Sequence, residues 1–361
     1  MRATGRRRSR LLALMALALV LAGCAATPRV LHFGMEDAPE GKRLLWPGPP
    51  EVPRFMYAGQ LIGETNFRAK EDPKARGFLR WLAGLIAGQE APVVLQRPQS
   101  GMVDAAGRVF VSDASRQGVF VFDPNAGALM VWDKAEGLAN FVTPAGMAAS
   151  PNGDVFVADA ELGLVARLDA KGNPGRAIGR GVLRRPTGVA YDPVRGELFV
   201  ADTYTHDIKV FDDAGRLART IGRRGEGPGE FNFPTHLAFA RGELYVTDTM
   251  NSRIQVFADG GQRLRLTFGS RGLYIGNLVR PKGVTVDSDG NIYVVESYYD
   301  HLLVYNRNGA FLMAIGGLGR DTGRFYLPAG AWSDSRNRIY VADMFNGRVV
   351  VFQYLETGGD G

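Results

Sequence analysis

The sequence predicts an all-β protein, a six-bladed propeller of four-stranded blades, and three observations carry that prediction. An apolar run ending in an acid recurs six times, at 109–113, 155–159, 198–202, 244–248, 292–296 and 339–343. The successive acids Asp113, Asp159, Asp202, Asp248, Glu296 and Asp343 lie 46, 43, 46, 48 and 47 residues apart. A proline stands 14 to 16 residues ahead of each acid (Pro98, Pro144, Pro186, Pro234, Pro281, Pro328), and periods of this size mark repeat architectures. The runs are nearly continuously apolar instead of alternating, so both faces of each sheet are expected to be buried. Finally, 47 of 361 residues are glycine, about 13% against about 7% in ordinary chains. Without low complexity, such an excess points to many tight turns between short strands. Sheets buried on both faces and repeated six times stack radially. A solenoid would need capping repeats, and none is evident.

Taken from the N-terminus, residues 1–23 read as a signal peptide. Five arginines in the first ten residues precede the apolar run from Leu11 to Leu21, too short to span a bilayer and suited to a signal h-region. Leu21-Ala22-Gly23-Cys24 follows, and this is similar to the bacterial lipobox, in which the cysteine is lipidated and becomes the first mature residue. Cys24 is the single cysteine of the chain, so no intrachain disulfide and no cysteine-based zinc site can form. The resemblance implies lipid attachment (palmitate among the acyl chains) and extracytoplasmic anchoring without a spanning helix. Ala25 in place of Asp implies the outer membrane, facing the periplasm or, alternatively, the cell surface. The signal segment also explains the charge. The whole chain carries 43 bases against 37 acids; without residues 1–23 the balance is 38 to 37, which leaves little reason to expect a nucleic-acid partner.

Residues 24–53 read as a proline-rich tether, with Trp46-Pro-Gly-Pro-Pro-Glu-Val-Pro53 favouring extended polyproline II. The β-like stretch 54–62 is apolar and unassigned to any repeat. Repeat six ends in its third strand, at 349–354, so 54–62 is expected to supply the missing fourth strand, close the ring and remove an exposed edge. Phe78, Leu79, Trp81, Leu82, Leu85 and Ile86 lie at helical spacing, which predicts a short amphipathic helix over about 74–88, inserted before blade one. It would pack as a lid over the channel or dock to a membrane or partner. The propeller domain then spans 54–355, with a polar tail at 356–361.

Within each repeat the strands are named a to d in chain order, strand b being the run that ends in the acid. Asn152-Gly153, Asp289-Gly290 and Asn308-Gly309 supply hairpin turns. Repeat four reads Pro234-Thr-His-Leu, Tyr245-Val-Thr-Asp248, Asn251-Ser-Arg-Ile-Gln-Val-Phe257 and Phe268-Gly269. At these residues the chain resembles the NHL-repeat family, over about residues 95–355. With the lipobox it resembles bacterial six-bladed propeller lipoproteins. The resemblance implies the fold; some NHL-type propellers are lyases holding zinc on three histidines in the central channel.

The six repeated acids invite a carboxylate-ring reading, but each sits where strand b turns into strand c and can cap that turn, so a fold role is expected. Of four histidines, His32 falls in the tether and His206 and His301 in b–c turns. His236 differs: two residues after the repeat proline the other copies carry Gly146, Gly188, Gly283, Gly330 and Ser100. It is expected at the channel mouth. One histidine does not make a three-histidine metal site, and no nucleophile elbow or phosphate-cradling loop appears; Gly225–Phe231 resembles an NHL inter-blade loop. No cofactor and no metal are therefore expected.

What remains is a surface. The d–a and b–c loops of a propeller emerge on one face. Here they carry Arg184, Arg185, Arg223, Arg224, Arg280 and Lys282, with Arg253, Arg348, Tyr204, Tyr298, Tyr299 and Phe345 from the b–c turns. Arginine with aromatics is a binding-surface composition; the opposing reading is a solvated rim partly neutralised by Glu226, Glu230 and Asp321. The sequence thus predicts a monomeric, lipid-anchored, non-catalytic scaffold for a protein or anionic glycan. The alternative is a metal-dependent enzyme of lyase or lactonase type working near His236.

Overall fold

The computed structural model describes residues 29–35, 43–69 and 91–355. Contacts group the chain into residues 31–67 with 91–361, and, apart from these, 1–30 with 68–90. Of the smaller unit, the described residues 29–30 and 68–69 are strand. The helix expected over 74–88, Cys24, the signal segment and the tail at 356–361 lie outside the described residues.

The larger unit is the six-bladed propeller. Blade four shows the pattern: Pro234–Ala240, Glu243–Asp248, Arg253–Ala258 and Arg263–Phe268 pair antiparallel in that order. Blades one, three and five repeat it. Blade two hydrogen-bonds three strands, Pro144–Ala149, Val155–Asp159 and Leu164–Leu168. Its fourth is irregular and touches strand c only through the bridges Leu168 to Pro174 and Val165 to Ile178. Blade six is assembled from both ends of the domain. Ala331–Ser333, Arg338–Asp343 and Arg348–Tyr354 are joined by Phe55–Leu61 as strand d, in a register that pairs Val349 with Leu61 and Tyr354 with Phe55.

The tether expected over 24–53 is in part packed. Leu45–Trp46 adds a fifth strand to blade six, pairing with Phe55 and Met56. The Trp46 ring meets Phe352 edge-on at 5.4 Å, and Phe33 does the same to Tyr340 at 6.4 Å. Apolar residues between the prolines outweigh the proline signal here: full burial of a large apolar side chain gains about 1.5–3 kcal/mol, and the half-buried Phe33, Leu45 and Trp46 gain a part of that each.

The apolar run of strand b, with its closing acid, is buried in every blade, and only the first residues Glu197, Glu243 and Arg338 are half-buried. The core lies between blades. One apolar cluster joins Tyr293 and Leu302 of blade five to Phe55, Val341 and Phe352 of blade six. Another joins Leu61 and Val351 of blade six to Val109 and Phe120 of blade one, so the ring is closed by packing as well as by hydrogen bonds.

The glycine two residues after the repeat proline now has a reason. A Cβ added at Gly188 would lie 2.7 Å from the Thr235 carbonyl oxygen and 2.9 Å from the His236 Cα. Gly146 faces the Thr187–Val189 backbone and Gly330 the Gln99–Ser100 backbone equally closely. Neighbouring strands a approach so tightly around the axis that a side chain pointing sideways has no room.

All six repeated acids are fully buried, and their oxygens are consumed by the fold. Asp113 accepts from the backbone N–H groups of Gln96, Arg97, Ser115 and Arg116 at 2.6–3.0 Å. Asp159 does the same for Val142, Thr143, Glu161 and Leu162, and Glu296 for Val279, Arg280 and Tyr298. Asp202 takes Arg184 and Arg185. Each carboxylate fastens the incoming d–a loop to the end of strand b, which fixes the face where these loops emerge.

Candidate functional site: the mouth of the central channel

Because strand a begins beside the end of strand b (Pro234 pairs with Asp248, Pro281 with Glu296), the d–a and b–c loops of all blades share one face. On that face a pocket of about 600 Å³ opens over the channel. Its polar lining comes largely from blades three to five: Thr203, Thr235, His236, Thr249, Arg280, Lys282 and Ser297. Its apolar lining is Phe233, Met250, Leu327, Pro328, Met344 and Phe345, and no carboxylate is among the lining residues.

His236 sits where this pocket meets the channel, lining both. Its Nδ1 is 3.0 Å from the Thr235 hydroxyl. Thr249 donates to the Pro281 carbonyl at 3.0 Å, and the Thr235 and Thr249 hydroxyls are 2.6 Å apart. A hydroxyl has one proton to give. Thr249 spends its own on Pro281, so Thr235 donates to Thr249 and His236 Nδ1–H donates to Thr235. Nε2 is left carrying the lone pair. Loss of hydration in the throat, reinforced by the Lys282 charge, pulls the imidazole pKa down to about 3. His236 is a neutral acceptor at neutral pH.

Lys282 and Arg280 stand together, two residues apart at the start of blade five's strand a. Among the described residues no hydrogen bond or ion pair reaches either side-chain head group, and burial, then the nearby Arg280 charge, pulls the Lys282 pKa below its usual value. Glu296 feels the Arg280 charge, but its oxygens already accept three backbone N–H groups, and burial outweighs these and raises its pKa.

The other sequence-predicted surface residues meet different fates. Arg253 is a clamp: its guanidinium donates to Asp248 at 2.8 Å and to the carbonyls of Glu226, Gly227 and Glu230. Arg348 repeats this in blade six on Asp343, Asp321 and Arg324, with Gln60 as a further acceptor. Both are removed from the binding face, because strand-b acids with spare lone pairs draw them inward. Arg223 pairs with Glu230 at 2.9 Å at the rim. Arg185 lies over the Tyr204 ring at 5.2 Å and 3.6 Å from Glu161. Arg184 and Arg224 are exposed. Tyr298 meets Tyr299 edge-on, and Tyr204, Tyr298 and Phe345 are each about half exposed. Of the predicted set, the structure brings Arg280, Lys282, Phe345 and His236 to one pocket and leaves the rest around it.

Several residues of the mouth escape a reading built on charge and aromatics. The hydroxyls Thr203, Thr249 and Ser297 each follow a strand-b acid directly, where other blades have Ala114, Ala160 and Met344. That contrast is visible on alignment of the repeats. Phe233 and Leu327 precede repeat prolines yet adopt φ of 52° and 47°. They are held there by hydrogen bonds from their own N–H groups to His206 Nδ1 (3.2 Å) and Asp300 (2.6 Å). His206 can accept because burial, then the Arg224 charge, lowers its pKa. The loop after blade four displays Leu273, Tyr274 and Ile275 at 85%, 84% and 67% exposure, an apolar triplet set between Gly272 and Gly276.

Comparison with known proteins bears on the fold. A family model described as a 6-bladed beta-propeller matches residues 192–265. The protein brain tumor of Drosophila melanogaster is 31% identical over 138 residues, 38% of this chain and 13% of its own length. Peptidylglycine alpha-amidating monooxygenase of Rattus norvegicus is 31% identical over 135 residues, 33% of this chain and 14% of its own. The chain thus matches about one seventh of each relative. Among solved structures, a streptogramin B lyase superposes with TM-score 0.53 at 13% identity, covering 72% of this chain and 94% of that one. Virginiamycin B lyase from Staphylococcus aureus gives 0.53 at 14%, covering 72% and 96%. At such identities the likeness is one of fold. The chain is a six-bladed β-propeller.

Proposed function

We propose that this propeller is a non-catalytic binding or assembly scaffold of the bacterial cell envelope. In this reading it is held by lipid on Cys24 at the outer membrane and recognises a protein or anionic glycan through its loop-rich face. The observation that carries the reading is the charge imbalance at the mouth. Among the described residues Arg280 and Lys282 have no hydrogen-bond or ion-pair partner and stand near the half-exposed Phe345, no carboxylate lines their pocket, and the strand-b acids of the same face are consumed by backbone and arginine partners. Arginine, tyrosine and exposed apolar side chains in one place are the composition of interface hot spots. Arg184, Arg223, Arg224, Tyr298 and the Leu273–Ile275 triplet would form the rim.

The enzyme alternative rests on His236. A divalent metal does not suit the throat, since a single neutral imidazole stands beside the Lys282 cation. Among the described residues no group of three or more His, Cys, Asp or Glu could hold a metal. No chemical step is derived there.

Proximity crosslinking and pull-down from intact cells test the scaffold reading. The full-length protein is expected to capture an envelope partner that an Arg223→Ala/Arg224→Ala variant loses by about tenfold or more, the scale set by one well-placed interface charge. Failure of the unaltered protein to capture any envelope component, or equal capture by the variant, overturns it.

A further inference from the structure

The mouth pocket has features that a general docking face does not require. Its cations come as a pair with no carboxylate in the lining, and holding like charges together while stripping water from one of them, Lys282, is costly. Lys282 carries part of that cost already, since burial and Arg280 disfavour its charged form. The fold had alternatives in hand. At the position after the repeat proline other blades carry Gln99, Ala145, Thr187, Thr235 and Ala329, none of them charged.

The blades on either side of the cations supply an apolar lining. Met250 is 62% exposed and Phe345 49%, and Phe233 and Leu327 are also turned to the pocket. These last two occupy the left-handed region, an uncommon backbone state for a bulky side chain that costs roughly 1–3 kcal/mol unless its surroundings enforce it. Side chains from neighbouring b–c turns, His206 and Asp300, enforce it in both cases. Strain kept in two separate blades brings two apolar side chains to the same cavity. A pocket within the usual ligand range of roughly 300–1,000 Å³, lined by two cations and by apolar side chains from the blades beside them, has an amphipathic complement.

We propose that the channel mouth is a binding site for a small amphipathic anion, a carboxylate or phosphate head group borne on an apolar body. The head group lies between Arg280 and Lys282, and the apolar body lies along Phe233, Met250 and Phe345. His236 is neutral and adds no charge to the head-group site. The proposal rests on reading the loop-rich face as a binding surface, and it adds a ligand that is not the macromolecular partner itself.

Isothermal titration of the purified full chain with dodecanoate, dodecyl phosphate, dodecanol and acetate tests it. Dodecanoate or dodecyl phosphate binds with one-to-one stoichiometry, the two arms showing which head group is preferred. Dodecanol, lacking charge, and acetate, lacking the chain, each bind at least about tenfold more weakly. Lys282→Gln and Arg280→Gln each weaken dodecanoate by about tenfold, and Met250→Asp weakens it by putting a carboxylate in place of apolar lining. Thermal melts of each variant confirm that it folds. Arg223→Ala/Arg224→Ala, which leaves the pocket intact, keeps dodecanoate affinity. Binding of neither anion, or equal binding by wild type, Lys282→Gln and Met250→Asp, overturns the proposal. Anion binding that survives in a protein capturing no envelope partner would retain the pocket and overturn only the scaffold reading.

Discussion

Arg253 and Arg280 stand at equivalent ends of neighbouring blades, on the same face of the same ring, and the fold treats them oppositely. Arg253 keeps 14% of its side chain exposed and meets Asp248, which is wholly buried, at 2.8 Å. Asp248 also holds Asn251 and Gln255 and the backbone N–H of Asn232. Arg280 is exposed, and its neighbour Lys282 repels it. A charge that recurs with its counter-charge from blade to blade, as Arg348 with Asp343 repeats Arg253 with Asp248, belongs to the architecture. Arginine also precedes the repeat proline in blades one and three, as Arg97 and Arg185, but Lys282 is the one charge at its position after the proline, and neither Arg280 nor Lys282 recurs with a counter-charge as the clamp does. The difference teaches that sign and residue type alone do not separate a binding face from a clamp; the state of satisfaction does.

The sharpest way to break this comparison is to remove the clamp. Asp248→Ala leaves the Arg253 guanidinium, the Gln255 amide and an Asn232 N–H facing a buried site without their acceptor. Breaking a buried pair by deleting one partner costs about 3–5 kcal/mol, so urea denaturation should show a loss of that size. Arg280→Gln should cost less than about 0.5 kcal/mol, as surface changes do. Equal losses at the two positions would mean that the mouth cation is structural after all.

The strand a register offers a second contrast, between Gly188 and His236, and a smaller effect. Gly188→Ala places a methyl 2.7 Å from the Thr235 carbonyl, and backbone cannot yield as a side chain can. Overpacking of this kind costs about 1–3 kcal/mol, measurable as a lowered urea midpoint at unchanged slope. His236→Ala, which removes bulk at the equivalent position of the next blade, should cost less than Gly188→Ala. The same register shows what the sequence made legible. Six spaced acids and prolines were enough for the blade count, and the lack of a fourth strand after Tyr354 placed Phe55–Leu61, because an open edge must be closed. The odd member of the glycine column identified His236 at the throat. What stayed hidden depended on partners distant in sequence. Arg253 and Arg348 look like surface cations until the loop carbonyls of Glu226 and Asp321 are seen to accept from them. Leu45–Trp46 looks like tether because its proline neighbours speak louder than the ring of Phe352 against which Trp46 packs. The mouth pocket draws Thr203, Phe233, Lys282 and Phe345 from four different blades, and no local pattern joins them.

The smallest effect is also the most specific to the unanswered pair. Burial and Arg280 lower the Lys282 pKa, so between that lowered value and the unfolded value near 10.4 the unfolded chain binds more protons than the folded one. Stability then rises with pH through this window, and the penalty is fully present below it. Lys282→Gln removes the penalty. At pH 7 the variant should be as stable as the wild type or more stable by up to about 1 kcal/mol, the scale of a partly solvated charge interaction. The advantage should shrink as pH is raised toward 10 and the wild-type lysine loses its proton. Tyrosines whose pKa burial raises, Tyr245 among them at about 12, destabilise both proteins alike on that limb, so the quantity to follow is the difference between the two melts. A difference that stays flat from pH 7 to pH 10, or one that favours the wild type, would show that Lys282 is already satisfied and that the two cations of the mouth are no different in kind from Arg253.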